Sequence, residues 1–202
     1  MFKKIKHYFQ NYFKKRKPFA MATDFLFWGL VLLLIIPSTR VQVSSFFIRI
    51  TSFAPSGLSA DKQYTISDNT RRWQITDMSG KAINFSDQLD KPVFVNMWAT
   101  WCPPCRAELP GIQKLYEQYK DKIHFLLLSD EPPVKVKAFA RKYHYEDMPF
   151  YRYRYVPQDF STRSIPSTFI ISKKGKVVLT KKGAAKWDSD KVKKLLDNLI
   201  RQ

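Results

Sequence analysis

The chain has 202 residues, a formal charge of +18 at pH 7, and 45% hydrophobic, 15% aromatic and 26% charged residues. That length holds one compact domain of about 140 residues beside a membrane-associated segment but crowds two full domains, and the charged share excludes a multi-span membrane protein. Residues 1–40 carry eight Lys/Arg and one Asp, so the remainder keeps 27 basic against 16 acidic residues, or +11; with no helix-turn-helix, finger or RNA-binding signature, this spread basicity points to an anionic membrane surface or an acidic partner, not to nucleic acid.

Residues 1–18 form a basic tail with Lys3, Lys4, Lys6, Lys14, Lys15, Arg16 and Lys17 and no acid, expected to stay in the cytoplasm. Residues 19–39 read as a transmembrane signal-anchor. Its unbroken apolar core runs from Phe25 to Ile36, and the Lys/Arg excess before it sets an N-in, C-out orientation in the inner membrane. That core is short for a span of about twenty residues, so the helix is extended back through Ala20-Met21-Ala22. A cleaved signal ending at Val43-Ser44-Ser45 is the alternative. Residues 40–63 are taken as an interfacial helix and linker: Val43, Phe46, Phe47, Ile50 and Phe53 recur at helical spacing, with Gln42, Ser45, Arg49 and Ser52 elsewhere. The same pattern suits the end of a bent anchor or a helix docked on the domain. Pro55-Ser56-Gly57 breaks it.

The folded domain is expected over 64–202. Trp73 to Asp77 and Ala82 to Phe85 alternate around the turn Met78-Ser79-Gly80-Lys81 and form a hairpin. Val93 to Ala99 is too apolar to face water on either side, as in the middle of a covered sheet. A helix follows from about Pro103 to Lys120, with Leu109, Ile112, Leu115, Tyr116 and Tyr119 as its buried stripe and Pro110 as a kink. Ile123 to Leu128 is the next buried strand. Pro132 and Pro133 open a helix whose stripe is Val134, Val136, Phe139, Ala140 and Tyr143, and a short strand lies around Phe150 to Arg154. Ile165 to Ile171 and Val177 to Thr180 make a second hairpin around Lys173–Lys176. Asp188 or Ser189 caps a last helix with the stripe Val192, Leu195, Leu196, Leu199 and Ile200. This order builds an α/β three-layer sandwich.

Cys102 and Cys105 are the only cysteines. They cannot by themselves make a four-ligand zinc site, and His7, His124 and His144 are scattered and read as structural, so neither metal nor cofactor is expected. The lack of further thiols suits an oxidising compartment. C-x-x-C at a strand-to-helix junction places thiolates at the positive end of a helix dipole, which makes them reactive near neutral pH. Cys102, at the helix edge toward solvent, is the expected nucleophile, and Cys105, one turn in and covered, the resolving thiol. A purely structural disulfide fits less well, because so small a loop constrains the unfolded chain little. Pro103 and Pro104 have no N–H to donate, which leaves chiefly the Cys105 amide for the Cys102 thiolate. A less stabilised reduced form implies a reductant.

The run FVNMWATWCPPCRAELP at 94–110, together with Ile165-Pro166-Ser167-Thr168-Phe169, resembles the membrane-anchored thioredoxin-like proteins of the TlpA/ResA type, which include thiol reductases of cytochrome c maturation. The resemblance covers about residues 64–202. It implies a thioredoxin-like sandwich with an N-terminal β-hairpin extension, preceded by one transmembrane helix and facing the extracytoplasmic, periplasmic side. It also implies a redox-active Cys102–Cys105 disulfide, a cis Pro166 beside it, a backbone at Ile165 that pairs with an extended substrate segment, and electrons received from a transmembrane thiol donor. Substrates would be disulfide-bearing proteins such as apocytochrome c or copper-site proteins. Trp101 is expected on the docking surface with Pro103 and Pro104, and Trp98 in the core. Where cytosolic thioredoxins carry a buried aspartate six residues before the first cysteine, this chain has Asn96. Glu108, on the same helical face as Cys105, is then the local acid for proton transfer. Its alternative is a surface residue paired with Arg106 or Lys114. The rival functions are a disulfide oxidase or isomerase on the same fold, and a copper-handling or scaffold protein with an incidental dithiol. No threonine-cysteine peroxidatic motif occurs.

Overall fold

The computed structural model describes residues 18–35 and 37–202. The basic residues expected to form the cytoplasmic tail, Lys3 to Lys17, lie outside the described residues, as does Ile36. The chain divides into two compact units, Met1–Val43 and Ser44–Gln202. Helix α1 (Pro18–Ile35) belongs to the first. Its large apolar side chains, Phe25, Leu26, Phe27 and Trp28 among them, are exposed. Among the described residues no helix is long and apolar enough to cross a membrane. Helix α2 (Pro37–Thr51) opens with a proline in its first turn, where the missing N–H costs nothing. From Ser44 onward it belongs to the second unit, with Phe46, Phe47 and Ile50 exposed and the Ser45 hydroxyl donating to the Pro103 carbonyl at 2.8 Å.

The second unit holds eight strands in one mixed sheet. They are β1 (Tyr64–Thr65), β2 (Gln74–Asp77), β3 (Ala82–Asn84), β4 (Val93–Met97), β5 (His124–Ser129), β6 (Phe150–Arg152), β7 (Ser167–Ile171) and β8 (Lys176–Lys182). Their order across the sheet is β1-β8-β7-β4-β5-β6-β2-β3. β4, β5 and β6 run parallel, and every other pairing is antiparallel. All five residues of β4 are buried, as a strand apolar at all but Asn96 and set between two partner strands requires. The β2–β3 hairpin extends the sheet through β6, with Thr76 opposite Arg152. The short helix α3 (Asp68–Arg71) lies between β1 and β2, and β1 and β3 are the edges of the sheet. β1 has only two residues, too few to carry an alternating pattern.

Helices α4 (Pro103–Tyr119), α5 (Pro133–Tyr143) and α6 (Asp190–Ile200) pack on one face of the sheet, where Phe94, Trp98, Phe125, Leu127 and Ile170 meet Leu109, Phe139 and Leu196. The opposite face buries Val93, Val95, Met97, Leu126 and Leu128 under Trp73, Phe85 and Phe160, which come from short and irregular segments. Alternate residues of β4 and β5 thus feed the two layers. Helix α4 continues through Pro110. One expected stripe residue is corrected: Val134 is 73% exposed. Val136, Phe139, Ala140 and Tyr143 share a face, whereas Val134 precedes Val136 by two positions, roughly 200° around the helix. His144 ends α5 in the left-handed conformation, and His124 Nε2 lies 2.7 Å from Asp90 Oδ1; neither is at the cysteines.

Candidate active site

The site forms where β4 ends and α4 begins. Cys102 is the N-cap of α4, and its Sγ accepts from the Cys105 amide at 3.2 Å, in the place a serine or aspartate oxygen would take. Pro103 and Pro104 occupy the first two helical positions, where their fixed φ suits the helix and their missing N–H groups leave Cys105 as the amide donor. The two cysteines are joined in a disulfide across a Cα–Cα distance of 5.3 Å. The expectation that Cys102 faces solvent is corrected, since it is only 2% exposed. Tertiary cover explains this. The Ile165–Pro166 peptide bond is cis, and the Ile165 carbonyl oxygen lies 3.8 Å from Cys102 Sγ. Exposure at the site belongs to Trp101, at 65%, while Trp98 is buried against Phe139 and Phe150.

Glu108 is not the surface residue of the alternative reading. It is 3% exposed and held by three groups: Asn96 Nδ2 donates to Oε1 at 2.8 Å, and Trp187 Nε1 and the Ala185 amide donate to Oε2 at 2.8 and 3.2 Å. Burial pushes its carboxyl up to about 7, against the lowering effect of the hydrogen bonds from Trp187, Asn96 and Ala185. Its expected partners are engaged elsewhere, Arg106 over the ring of Tyr143 and Lys114 3.9 Å from Asp188. Asn96 also donates to Thr168 Oγ1 at 2.8 Å, which ties Glu108 to the strand that follows the cis proline. A cavity of about 470 Å³ opens beside Glu108, bounded by Phe46, Ile50, Ala107 and Ala185.

Sequence reasoning did not find Ala185, Trp187 or Glu131 as parts of this neighbourhood, and it carried Thr168 and Thr100 only within the two motifs, without their ties to Asn96 and Glu131. Trp187 lies 79 residues from Glu108, and no local spacing marks it. Among the described residues no group of three or more His, Cys, Asp or Glu could hold a metal ion. The arrangement is suited to thiol–disulfide exchange: two sulfurs one helical turn apart, a backbone edge at Ile165, and a buried acid that titrates near neutral pH.

Residues 66–180 match the model of the AhpC/TSA family. The thiol-disulfide oxidoreductase ResA of Bacillus cereus is 36% identical over 129 residues, covering 60% of this chain and 73% of the relative. ResA of Geobacillus kaustophilus is 31% identical over 167 residues, covering 81% and 87%. Two solved structures share the fold. The exposed lipoprotein thioredoxin Etrx1 of Streptococcus pneumoniae has a TM-score of 0.52 at 24% identity, covering 63% of this chain and 98% of that one. A thioredoxin-family thiol:disulfide interchange protein of Chlorobium tepidum has a TM-score of 0.50 at 21% identity, covering 71% and 95%. With its cysteine pair at the start of α4, the chain belongs to the AhpC/TSA family and is a thiol-disulfide oxidoreductase of the ResA type.

Proposed function

We propose that this protein is a membrane-anchored protein-disulfide reductase acting outside the cytoplasm. The observation that carries the direction is the amide environment of Cys102. Its sulfur accepts from Cys105 N, while Pro103 and Pro104 have no N–H to offer. A thiolate with fewer donors is a less stabilised reduced form, so the couple has a lower potential and gives electrons away.

In the reduced protein the Cys102 thiolate attacks one sulfur of a substrate disulfide. An S–S bond forms between Cys102 and the substrate, the substrate's own S–S bond breaks, and the departing thiolate takes a proton from solvent. Cys105 then passes its thiol proton to the ionised Glu108, one turn along α4, and attacks Cys102 Sγ. The second substrate thiolate leaves, two electrons have moved to the substrate, and the Cys102–Cys105 disulfide is restored. A carboxyl near 7 both accepts and returns that proton at neutral pH. The Ile165 backbone beside Pro166 receives the extended substrate segment, and exposed Trp101 docks it.

The anchor reading is supported by the basic residues that precede Phe25 and by the exposed apolar side chains of α1, the inner-membrane interfacial reading by exposed Phe46, Phe47, Ile50 and Phe53. Apocytochrome c and copper-site proteins are the substrate classes that suit such a reductase, and a transmembrane thiol carrier the donor that re-reduces it. The measured potential tests the direction: a value near that of thioredoxin, about −270 mV, supports it, and one near about −120 mV makes the protein an oxidant. Replacing Cys105 by Ser in cells tests the rest. Cys102 should then hold substrate as a mixed disulfide, and the untrapped fraction should react with a membrane-impermeant thiol reagent. Labelling only after lysis overturns the placement.

A further inference from the structure

The loop that carries the nucleophile, residues 98–102 between β4 and α4, is tied to a side chain with no part in the exchange scheme above. Glu131 lies between β5 and α5 and is 7% exposed. Its Oε2 accepts from the Thr100 amide at 2.6 Å and its Oε1 from the Thr100 hydroxyl at 2.9 Å. Both oxygens are therefore spent on one residue two positions before Cys102. The Glu131 amide in turn donates to Ser129 Oγ at 3.2 Å, which fixes the acid to the end of β5. Elsewhere the loop is held at its ends, by Trp98 N to Leu128 O at 3.0 Å and Cys102 N to Ala99 O at 3.2 Å. Trp101 is largely exposed.

We propose that Glu131 is a positioning residue for Cys102: by clasping Thr100 through both carboxylate oxygens it sets the Trp101–Cys102 loop, and with it the line from Cys105 N to Cys102 Sγ and the presentation of Trp101 to substrate. A carboxylate suits the task because it accepts two donors at once, in charge-assisted bonds, with a reach that spans from the β5–α5 loop. An amide keeps one acceptor for the Thr100 N–H and can donate to the Thr100 hydroxyl, so Gln preserves the clasp without the charge. Ala releases it.

The test uses the full chain, reduced, and reads the rate of reduction of a protein disulfide together with the pH midpoint of Cys102 alkylation. Misplacing a reacting group by about 1 Å costs on the order of a hundredfold, so Glu131→Ala is expected to slow reduction about ten- to a hundredfold, with Glu131→Gln recovering most of the loss. Removing a nearby negative charge lowers the alkylation midpoint in both variants. Loosening the Cys105 amide raises it in the Ala variant alone, so the midpoint of Glu131→Ala should lie above that of Glu131→Gln. Equal midpoints and equal rates in the two variants mean that charge, not the clasp, is at work, and overturn the proposal; so does a folded Glu131→Ala with the unmodified rate. If Glu131→Ala does not fold, Thr100→Val decides: it removes one of the two bonds and should slow reduction about three- to tenfold, and an unchanged rate overturns the proposal.

Discussion

Replacing Glu108 by Gln should flatten the pH dependence of stability between about pH 5 and pH 8. In the folded protein burial holds the Glu108 carboxyl near 7, against 4.5 for the free group. The folded state therefore binds this proton more tightly than the unfolded one. Below pH 4.5 both states are protonated and the group is neutral to stability. Above 7 both are ionised, and the folded state bears the whole cost of a buried charge. The difference amounts to about 3 kcal/mol, at 1.36 kcal/mol for each pKa unit, lost as pH rises through the window from 4.5 to 7. Glutamine retains an oxygen for the Trp187 and Ala185 donors. Its amide can also donate to Asn96 Oδ1 once that side chain turns over; this oxygen is buried without a partner in the present arrangement. The assay is denaturant unfolding of the oxidised protein at several pH values, for both variants. Comparing the variants cancels every other titrating group, including Asp90 beside His124. The stability of the wild-type protein relative to Glu108→Gln should fall by about 2.5 kcal/mol between pH 5 and pH 8, since part of the loss precedes pH 5. A difference that stays level across that range refutes the assignment of a perturbed, buried acid at 108.

Trp187→Phe keeps the ring against Phe94 and removes the Nε1 donor to Glu108. Losing a bond to the charged form should raise the Glu108 titration above 7 and cost about 1.5–3 kcal/mol at pH 8 but little at pH 5, read by the same unfolding series. Pro104→Ala returns an amide to the second helical position beside Cys102 Sγ. Stabilising the thiolate by about 1.4 kcal/mol should raise the reduction potential by about 30 mV, measured against a glutathione buffer; an unchanged or lower potential removes the basis for reading the prolines as a reductant's feature. Glu108→Gln should slow the second, resolving step near neutral pH by about a hundredfold, with attack by Cys102 little changed. Mixed-disulfide lifetimes from rapid quenching separate the two.

Local chemistry carried much of this molecule. The four apolar residues of β4 have nowhere to go but the middle of a sheet, and two prolines behind Cys102 begin a helix and withhold its amides whatever surrounds them. The face of α4 follows from spacing alone, since Leu109, Ile112 and Leu115 recur at helical period and all are buried. Periodicity misled at Val134, where hydrophobicity was weighed and the phase of the helix decided otherwise. What the sequence could not show is how distant segments meet. Cys102 reads as a solvent-facing cap, and it is covered because a loop more than 60 residues onward brings Ile165 and Pro166 over it. Glu108 reads equally as a surface charge, and it is a buried, near-neutral acid because Asn96, Ala185 and Trp187 close around it from β4 and from the chain after β8. By itself the sequence determined the cysteine pair, its helix and its missing amides, since each depends on neighbours within one turn. Only the tertiary structure decided that the acids at 108 and 131 are buried and what holds them, because desolvation and hydrogen bonding there are set by residues that no local pattern connects.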